Sequence, residues 1–381
     1  EFNFWKKIIM NIRKKILISL FNPKTFFNYL KKDYFKKEKY YKFEFPVQIT
    51  FFITERCNLN CPMCHVSESR RKFLEKSNQI DLDVELVKKA LDEAKDFGST
   101  IQFVGGEPLL YPNIFEVIKH ANKNRLVTSI TTNGTILKAK AKEIIDSKLK
   151  FLAVSLDSGL PKTHNKVRGA DNVFDQALSG IKEIKKQRGW KNFPNIHLRT
   201  VISRESLDDF DTVYNIGAAQ GIDEWSVSQF FYYPEGLKRK NDIFADKFKS
   251  GKDIWGMPIE QQNYFEKEQI EKLKSKTIGL EKMQKKAKFQ VNVQDPGDLQ
   301  KYYEGVPLSD KSYCDSPFWQ IFIRQNGDIE LCQGIIIGNV KEGTIKQAWE
   351  SKKAKRFREL IKNKHITPAC FRCCAMCKFK F

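Results

Sequence analysis

The stretch VQITFFITERCNLNCPMCH, residues 47–65, divides into two halves of different composition. Its first eight residues are mainly apolar, β-branched or aromatic, as expected of a buried β-strand. The remainder carries three cysteines, Cys57, Cys61 and Cys64, spaced C-x3-C-x2-C. Three thiolates on one short loop can bind three irons of a cubane cluster and leave the fourth iron open to an exogenous ligand. The alternative is a zinc site completed by His65 or by a distant residue.

The run at 47–54 is the first of six strand-like runs that alternate with amphipathic stretches of helical spacing. The predicted strands are 47–54, 100–104, 126–132, 150–156, 195–202 and 223–230. The predicted helices lie near 84–94, 112–123, 137–148, 173–187 and 207–220. This alternation predicts an α/β fold with a parallel sheet covered by helices. Six units are too few to close an eight-stranded barrel, so we expect a partial, TIM-like (βα)6 barrel.

Polar and glycine-rich motifs follow the predicted strands where each strand ends. They are Cys57–Cys64 after the first strand, Gly105–Pro108 after the second, Asn133 and Gly134 after the third, Ser155 and Asp157 at the end of the fourth, Arg199 within the fifth and Gln229 at the end of the sixth. Ligands of parallel α/β sheets bind at the carboxyl ends of the strands. We therefore expect these residues to surround one mouth of the barrel.

The three-cysteine loop resembles that of the radical S-adenosylmethionine (radical SAM) superfamily, and four further motifs stand in that superfamily's order. They are GGEP at 105–108, TTNG at 131–134, SLD at 155–157 and HNKVRG at 164–169. The resemblance covers about residues 47–230. It implies a [4Fe–4S] cluster on Cys57, Cys61 and Cys64, with SAM bound at the open iron. It also implies reductive cleavage of SAM to a 5′-deoxyadenosyl radical that abstracts a substrate hydrogen.

The candidate SAM contacts are residues of these motifs and of the strand ends. They are Met63, Gly105, Gly106, Glu107, Asn133, Ser155, Asp157, Arg168 and Arg199. The two glycines are expected to let the backbone approach the ligand closely, and Glu107 to accept hydrogen bonds from the ammonium group of SAM. Ser155 and Arg168 are candidates for its carboxylate and ribose. Met63 departs from the superfamily, in which an aromatic residue commonly precedes the third cysteine, although a methionine also packs on a ring.

Six further cysteines lie in residues 314–381. Cys314-x17-Cys332, followed by Cys370-x2-Cys373 and joined by GNVKEGTIKQAWES at 338–351, resembles the SPASM/twitch extensions of the same superfamily. The resemblance implies one auxiliary [4Fe–4S] cluster on Cys314, Cys332, Cys370 and Cys373, so that the chain would hold two clusters. Cys374 and Cys377 remain alternative ligands or unligated thiols, and a zinc ribbon is the structural alternative. A fully ligated cluster could accept an electron from a substrate radical, whereas an incompletely ligated one could bind substrate.

The chain thus divides into four predicted segments. Residues 1–45 form a basic amphipathic leader, 46–230 the radical SAM barrel, 231–313 an insertion or linker that contacts substrate, and 314–381 the auxiliary cluster module. The insertion is Lys-rich and poor in predicted strands, with one predicted helix near 260–287. Candidate substrate contacts at the mouth are Trp225, Gln229, Tyr232 and Asp315.

The net charge of +21 is concentrated at the two ends of the chain. Residues 1–45 hold 12 Lys and Arg against 4 Asp and Glu, and residues 351–381 hold 10 against 1. Segment 5–21 places its apolar residues on one helical face and its lysines on the other, which predicts either peripheral contact of residues 1–21 with an anionic membrane or packing on the barrel. No RNA-binding motif is present, so we expect no nucleic-acid partner.

Clustered cysteines, no secretory signal and no apolar run of about 18 residues predict a cytoplasmic protein, with membrane association through the leader as an option. The expected function is C–H functionalisation by a radical SAM oxidoreductase. Hydrogen abstraction would lead to oxidation, epimerisation or bond formation on a small-molecule, sugar or lipid-linked substrate. The expected partner is an external low-potential electron donor of the flavodoxin or ferredoxin type. The alternatives are a ribosomal peptide maturase of the same superfamily and a non-enzymatic zinc or iron–sulfur protein.

Overall fold

The computed structural model of the chain describes most of its residues. These are 21–34, 41–64, 80–189, 193–230, 233–246, 248, 259–260, 265–304, 314–332, 334–364, 367–368, 370, 373 and 379–380. Within them lies one large sheet of 11 strands with helices packed on one of its faces, and a separate two-stranded sheet.

Six parallel strands form the centre of the large sheet, and all six were predicted. They are β1 (Gln48–Thr54), β2 (Thr100–Gly105), β3 (Val127–Thr132), β4 (Phe151–Ser155), β5 (Asn195–Ile202) and β6 (Glu224–Gln229). Each strand pairs in parallel with the next one along the chain. The βα alternation therefore confirms the predicted parallel sheet.

Helices connect these strands, and a second group of helices belongs to the C-terminal half. The first group is α1 (Pro23–Tyr34), α2 (Val84–Ala94), α3 (Ile114–Lys123), α4 (Ala141–Asp146), α5 (Pro161–Arg168), α6 (Val173–Arg188) and α7 (Val213–Gln220). The second group is α8 (Glu235–Asp246), α9 (Lys267–Lys286), α10 (Pro296–Glu304), α11 (Ile345–Trp349) and α12 (Lys352–Lys364). Helix α5 was not predicted, although Pro161 at its first turn and Gly169 just after its end are ordinary helix start and stop signals.

The two faces of the central sheet differ in polarity. Residues such as Ile49, Phe51 and Phe103 are fully buried and form the core with the covering helices. The alternate residues point into the lumen of the partial barrel, where Gln48 and Thr50 hydrogen-bond Gln102 across the strands. Because side chains alternate along a strand, each strand presents one apolar and one polar row. The polar lumen is the surface that a ligand would meet.

Segment 231–313, expected to be a linker poor in strands, contributes to the sheet. It contains β7 (Tyr233–Pro234) and β8 (Ile259–Glu260), which pair with each other, and β9 (Gln290–Gln294), which pairs in parallel with β6. The predicted helix near 260–287 is α9. Strand β9 has the sequence QVNVQ, whose polar residues obscured it. Its alternation places Val291 and Val293 in the core and Asn292 on the lumen side.

The C-terminal module contributes strands to both edges of the sheet. Its strands are β10 (Gln320–Ile323), β11 (Asp328–Cys332) and β12 (Ile335–Asn339), and β13 (Phe379–Lys380) pairs with β9. Strand β10 pairs in parallel with β1, and β11 and β12 continue the sheet antiparallel. The module is therefore joined to the barrel by backbone hydrogen bonds, and neither β1 nor β6 is left as an open edge.

Helix α1 packs at the end of the barrel opposite the mouth. The Thr25 hydroxyl donates a hydrogen bond to the carbonyl of Gly98 at 2.8 Å, and the Asn22 side-chain amide donates one to the carbonyl of Arg125 at 2.7 Å. The predicted membrane contact falls on residues 1–21, of which only Phe21 is among the described residues, so it stays a prediction. Within the described part of the chain, no helix is both long and apolar enough to cross a membrane.

Candidate active site

The three-cysteine loop leaves the end of β1 and is fastened to the turn that follows β2. The amide of Gly106 donates to the carbonyl of Thr54 at 2.8 Å, and the amide of Glu107 donates to the carbonyl of Arg56 at 2.6 Å. Cys57 therefore directly follows Arg56, whose carbonyl is bound by the GGEP turn. These bonds fix the base of the loop at the carboxyl ends of the strands.

Gly105 and Gly106 are required by this contact. A Cβ at Gly105, where φ is +150°, would lie 2.3 Å from the carbonyl oxygen of Thr54. A Cβ at Gly106 would lie 2.2 Å from the carbonyl oxygen of Arg56. We expected the glycines to admit a ligand closely, and the structure shows that they also admit the backbone of the cysteine loop.

The Glu107 carboxylate, expected to receive the ammonium group of SAM, is fully buried and bonded to the protein's own groups. Oε1 accepts hydrogen bonds from the Thr132 hydroxyl at 2.8 Å and from the Leu109 amide at 3.1 Å. Oε2 accepts one from the Asn133 amide at 2.7 Å. Burial raises the pKa of Glu107 to about 7, although these donors favour the carboxylate. The side chain joins the ends of β2 and β3.

Asn133 connects the end of β3 to the cysteine loop. Its side-chain amide donates to the Asn58 side-chain oxygen at 2.9 Å, and Asn58 in turn donates to the Thr135 hydroxyl at 2.8 Å. Asn58 was not among the predicted site residues, because a polar residue between two ligands carries no signal of its own. Asn133 thus positions the loop, and its contact with SAM stays a prediction.

Arg168 at the end of α5 places a cation beside the cysteine loop. Its Nη2 lies 2.7 Å from Oδ2 of Asp157, and its guanidinium is close enough to the Cys61 thiol to lower the pKa of that thiol. Asp157 is fully buried, and its Oδ1 accepts a hydrogen bond from the Val201 amide at 3.0 Å. Asp157, predicted as a SAM contact, therefore holds Arg168 in place.

The three thiols are close enough to influence one another. The pKa of Cys61 is raised to about 11, mainly by burial; Arg168 opposes this rise, and the neighbouring Cys64 and Cys57 thiols contribute to it. Cys61 packs with Leu59 and Val173 in a small apolar cluster that Met63 also contacts. Met63 therefore packs on the base of the cysteine loop, and its contact with SAM stays a prediction.

His164 is a buried residue of this wall that the sequence did not single out. Its Nδ1 accepts a hydrogen bond from the Asp157 amide at 3.1 Å, so the neutral ring carries its proton on Nε2. Burial lowers the pKa of His164 to about 3. His164 therefore supports the strand end that carries Asp157. The sequence feature that could have identified His164 is its place in the HNKVRG motif, four residues before Arg168.

Ser155 and Arg199 point into the lumen from neighbouring strands. They are register partners across β4 and β5, and Arg199 pairs in turn with Ser226 of β6. Ser155 is half-buried, whereas Arg199 is exposed to the lumen. Both predicted SAM contacts thus lie on the inner wall of the barrel.

The predicted substrate contacts fall in different places. Trp225 is fully buried on the helix-facing side of β6, where its Nε1 donates to the Thr200 hydroxyl at 2.8 Å, and Gln229 is buried on the same side. The residues of β6 that face the lumen are Ser226 and Ser228. The Asp315 carboxylate accepts a hydrogen bond from Trp319 Nε1 at 3.1 Å. Tyr232 lies outside the described residues.

The auxiliary site brings together Cys314, Cys370 and Cys373. Burial raises the pKa of Cys314 well above its ordinary value, and the neighbouring Cys370 and Cys373 thiols raise it further. Burial raises the pKa of Cys370 to about 11, and its sulfur accepts a hydrogen bond from the Thr367 amide at 3.2 Å. Cys332 ends β11, a strand against which residues 316–318 pack. Cys374 and Cys377 lie outside the described residues.

Both cysteine groups have the donor chemistry of iron–sulfur clusters. Thiolates are the usual protein ligands of [4Fe–4S] centres, and each iron takes one sulfur. Within the described ranges, no three His, Cys, Asp or Glu side chains converge closely enough to hold a single metal ion. The fit of these residues to clusters therefore rests on their thiol chemistry and on the mutual proximity of the thiols in each group.

Comparison with protein families assigns both parts of the chain. The model of the radical SAM superfamily matches residues 51–216, which hold the three-cysteine loop and the strands around it. The model of the SPASM iron–sulfur cluster-binding domain matches residues 314–378. The chain contains a radical SAM domain followed by a SPASM domain. These two domains imply a SAM-binding [4Fe–4S] cluster and auxiliary iron–sulfur binding, which confirms the cofactors expected from the sequence.

Curated relatives include several enzymes. An AdoMet-dependent heme synthase of Methanosarcina barkeri is 24% identical over 352 residues, which cover 87% of this chain and 91% of the relative. An Fe-coproporphyrin III synthase of the same organism is 29% identical, and the match covers 54% of this chain and 50% of that relative. The subtilosin biosynthesis protein AlbA of Bacillus subtilis is 31% identical over 37% of this chain and 31% of its own length.

Solved structures share the fold. SuiB of Streptococcus suis bound to S-adenosylmethionine superposes with a TM-score of 0.60 at 17% identity, covering 88% of this chain and 72% of that one. The structure of anSMEcpe with bound AdoMet gives a TM-score of 0.58 at 18% identity, covering 83% and 84%. These likenesses confirm a partial TIM-like barrel with a C-terminal module.

Proposed function

We propose that this radical SAM protein cleaves SAM reductively and abstracts a hydrogen atom from an organic substrate in its lumen. The observation that carries the proposal is the docking of the three-cysteine loop on the GGEP turn, beside Arg168, at the carboxyl ends of the strands. Cys57, Cys61 and Cys64 would hold the cluster. A reduced cluster with bound SAM supplies a carbon radical strong enough to break an unactivated C–H bond.

The chain's own residues would orient SAM and shield the reaction. Ser155 at the end of β4 and the Arg168 guanidinium offer donors for the SAM carboxylate. The amides of the β2 turn and the half-buried Met63 line the side of the cysteine loop. The apolar helix layer behind the strands closes that side to water, so the open lumen is the route for substrate.

We further propose that Cys314, Cys332, Cys370 and Cys373 hold one auxiliary cluster, which makes the net reaction an oxidation. After hydrogen abstraction, a substrate radical that loses one electron and one proton has been oxidised by two electrons. A fully ligated cluster accepts an electron without binding substrate. A low-potential donor of the flavodoxin or ferredoxin type would re-reduce the cluster on Cys57, Cys61 and Cys64, and the electron taken up by the auxiliary cluster would pass to an oxidised carrier of the same type.

The substrate we favour is a small molecule. The support is the match over nearly the full length of a relative named as a heme synthase, a small-molecule enzyme. Peptide maturation is the second candidate, because AlbA is 31% identical over its shorter match. Deuterium transfer from a labelled substrate into 5′-deoxyadenosine distinguishes the two candidates. We expect transfer from a deuterium-labelled small molecule. Transfer only from a deuterium-labelled precursor peptide would favour peptide maturation.

The proposal is tested by replacing Cys57, Cys61 and Cys64 together with alanine in anaerobically reconstituted protein. The wild type should hold about eight irons per chain and form 5′-deoxyadenosine with dithionite and SAM. The triple variant should hold about four irons and form none. A matched Cys314→Ala/Cys370→Ala variant should retain SAM cleavage. 5′-Deoxyadenosine from the triple variant, or stoichiometric zinc without sulfide in the wild type, would overturn the proposal.

A further inference from the structure

One cation stands out on the inner wall of the barrel. Arg199 is the only exposed residue in the six strands β1–β6, where all other positions are buried or half-buried. It lies at the middle of β5, on the lumen side, and not at a strand end or in a loop. A guanidinium stays charged at any pH that a protein tolerates, so this position carries a permanent positive charge into the lumen.

Polar side chains on the neighbouring strands form a fixed frame around this cation. Ser226, the register partner of Arg199 on β6, is contacted by His197 Nε2 at 2.9 Å and by Asn292 Nδ2 at 3.2 Å. Ser155 is the register partner on the other side. One layer deeper, the Glu224 carboxylate accepts a hydrogen bond from Asn292 Nδ2 at 2.7 Å.

Glu224 and Arg199 lie in successive layers of this wall. Glu224 is engaged by Asn292 and lies 3.9 Å from His197 Nε2, with side-chain exposures of 13% and 14% for Glu224 and His197. Arg199 lies one layer nearer the mouth, with Ser155 and Ser226 as its register partners on the two neighbouring strands. A guanidinium flanked by hydroxyl groups is a donor set suited to a carboxylate or a phosphate.

We propose that Arg199, with Ser226 beside it, binds an anionic group of the substrate, either a carboxylate or a phosphate. The inference rests on the proposed function, since it takes the lumen as the substrate's place. The proposal places the substrate contacts on the lumen-facing residues of β5 and β6. It replaces the predicted contacts Trp225 and Gln229, which face the helices. The anchored group would hold the substrate beside the wall that carries Ser155.

The experiment uses reconstituted holoenzyme with SAM present, and glutarate and inorganic phosphate as probes. Saturation-transfer NMR measures probe binding, and glutaramide serves as the uncharged analogue of glutarate. Arg199→Gln should weaken binding of both anions by about tenfold or more, whereas Arg199→Lys should weaken it less because the charge remains. The matched control is Arg356→Gln, which removes an exposed arginine of α12 that stacks on Phe248 and should leave probe binding unchanged.

A parallel measurement of SAM affinity by equilibrium dialysis decides which ligand Arg199 serves. We expect Arg199→Gln to change the SAM dissociation constant by less than about twofold. A loss of SAM affinity as large as the loss of anion binding would assign Arg199 to the cofactor and overturn the proposal. So would equal binding of glutarate and glutaramide, or no anion binding by the wild type. If anion binding depends on Arg199 while SAM is not cleaved, the proposed function fails and the anion site stands.

Discussion

Two carboxylates at the mouth of the barrel, Glu107 and Asp157, are fully buried and bonded to the protein's own groups. Glu107 connects the ends of β2 and β3, and Asp157 holds Arg168 against the cysteine loop. Their place in the GGEP and SLD motifs was readable from the sequence. Their partners were not, because Val201 and Thr132 are ordinary strand residues that only the folded chain brings near.

Asp157→Asn should destabilise the apoprotein and loosen Arg168. Removing one member of a buried ion pair leaves the other charge uncompensated, which lowers the free energy of unfolding by about 3 kcal/mol. Urea titration of the apoprotein measures this change. The control is Asp208→Asn, whose partner Lys272 is 49% exposed and whose loss should cost less than about 1 kcal/mol. Equal effects of the two substitutions would show that the Asp157–Arg168 pair is not structural.

Glu107→Gln should remove a pH dependence of stability. The folded pKa of Glu107 is raised from 4.5 to about 7, so the folded chain binds this proton more tightly than the unfolded chain does. Stability from this group is therefore complete below about pH 4.5 and is lost as pH rises towards about 7. Relative to Glu107→Gln, the wild type should lose up to about 3 kcal/mol between pH 5 and pH 8 in urea titrations. A difference that stays constant with pH would contradict this.

At the scale of elements, the carboxyl ends of β1 and β2 form one unit with the turn and loop that follow them. Strand alternation predicted β1–β6 and two faces for each strand, but local pattern could not say which row of β6 meets the helices. The structure places Trp225 there and Ser226 in the lumen. Strand β9 was missed because its polar residues lower its apolar signal, while pairing with β6 stabilises it.

Gly106→Ala should displace the cysteine loop and empty the catalytic cluster site. The added Cβ would lie 2.2 Å from a backbone carbonyl oxygen, which cannot rotate away. We expect iron in the reconstituted protein to fall from about eight to about four per chain. Gly279→Ala in α9 is the control: nothing lies within 4 Å of its Cβ, so iron should be unchanged and the helix stabilised by about 0.5–1 kcal/mol. A full iron complement in Gly106→Ala would show that the loop adapts.

In the whole molecule, the C-terminal module completes the sheet of the barrel. Strand β10 pairs with β1, and the N-terminal amides of α11 donate to the Glu93 carboxylate of α2 at 2.7 and 2.8 Å. Trp349, fully buried, donates to the carbonyl of Phe43 at 2.9 Å. The SPASM domain is therefore part of the cooperative core as well as a cluster site.

A chain truncated after residue 313 should lose cooperative thermal unfolding and aggregate, because it exposes the edge of β1 and the core beneath α11 and α12. Circular dichroism and size-exclusion chromatography measure both effects. A Cys314→Ser/Cys370→Ser variant keeps every strand while removing two auxiliary ligands, so it should elute as the full chain does and unfold cooperatively. If the truncated chain and the double-serine variant both aggregate, the stability of the fold depends on the auxiliary cluster and not on the added strands.

The sequence by itself determined the six βα units, the three-cysteine loop and the order of motifs along the strand ends. These are local features, set by residue spacing and by the period of apolar side chains. Only the tertiary structure decided the partners of the buried charges, the lumen-facing row of β6 and the two edges of the sheet. Each of these joins residues far apart in the chain, such as Gln48 and Gln320. The free energy of such contacts depends on packing and register, which no local pattern contains.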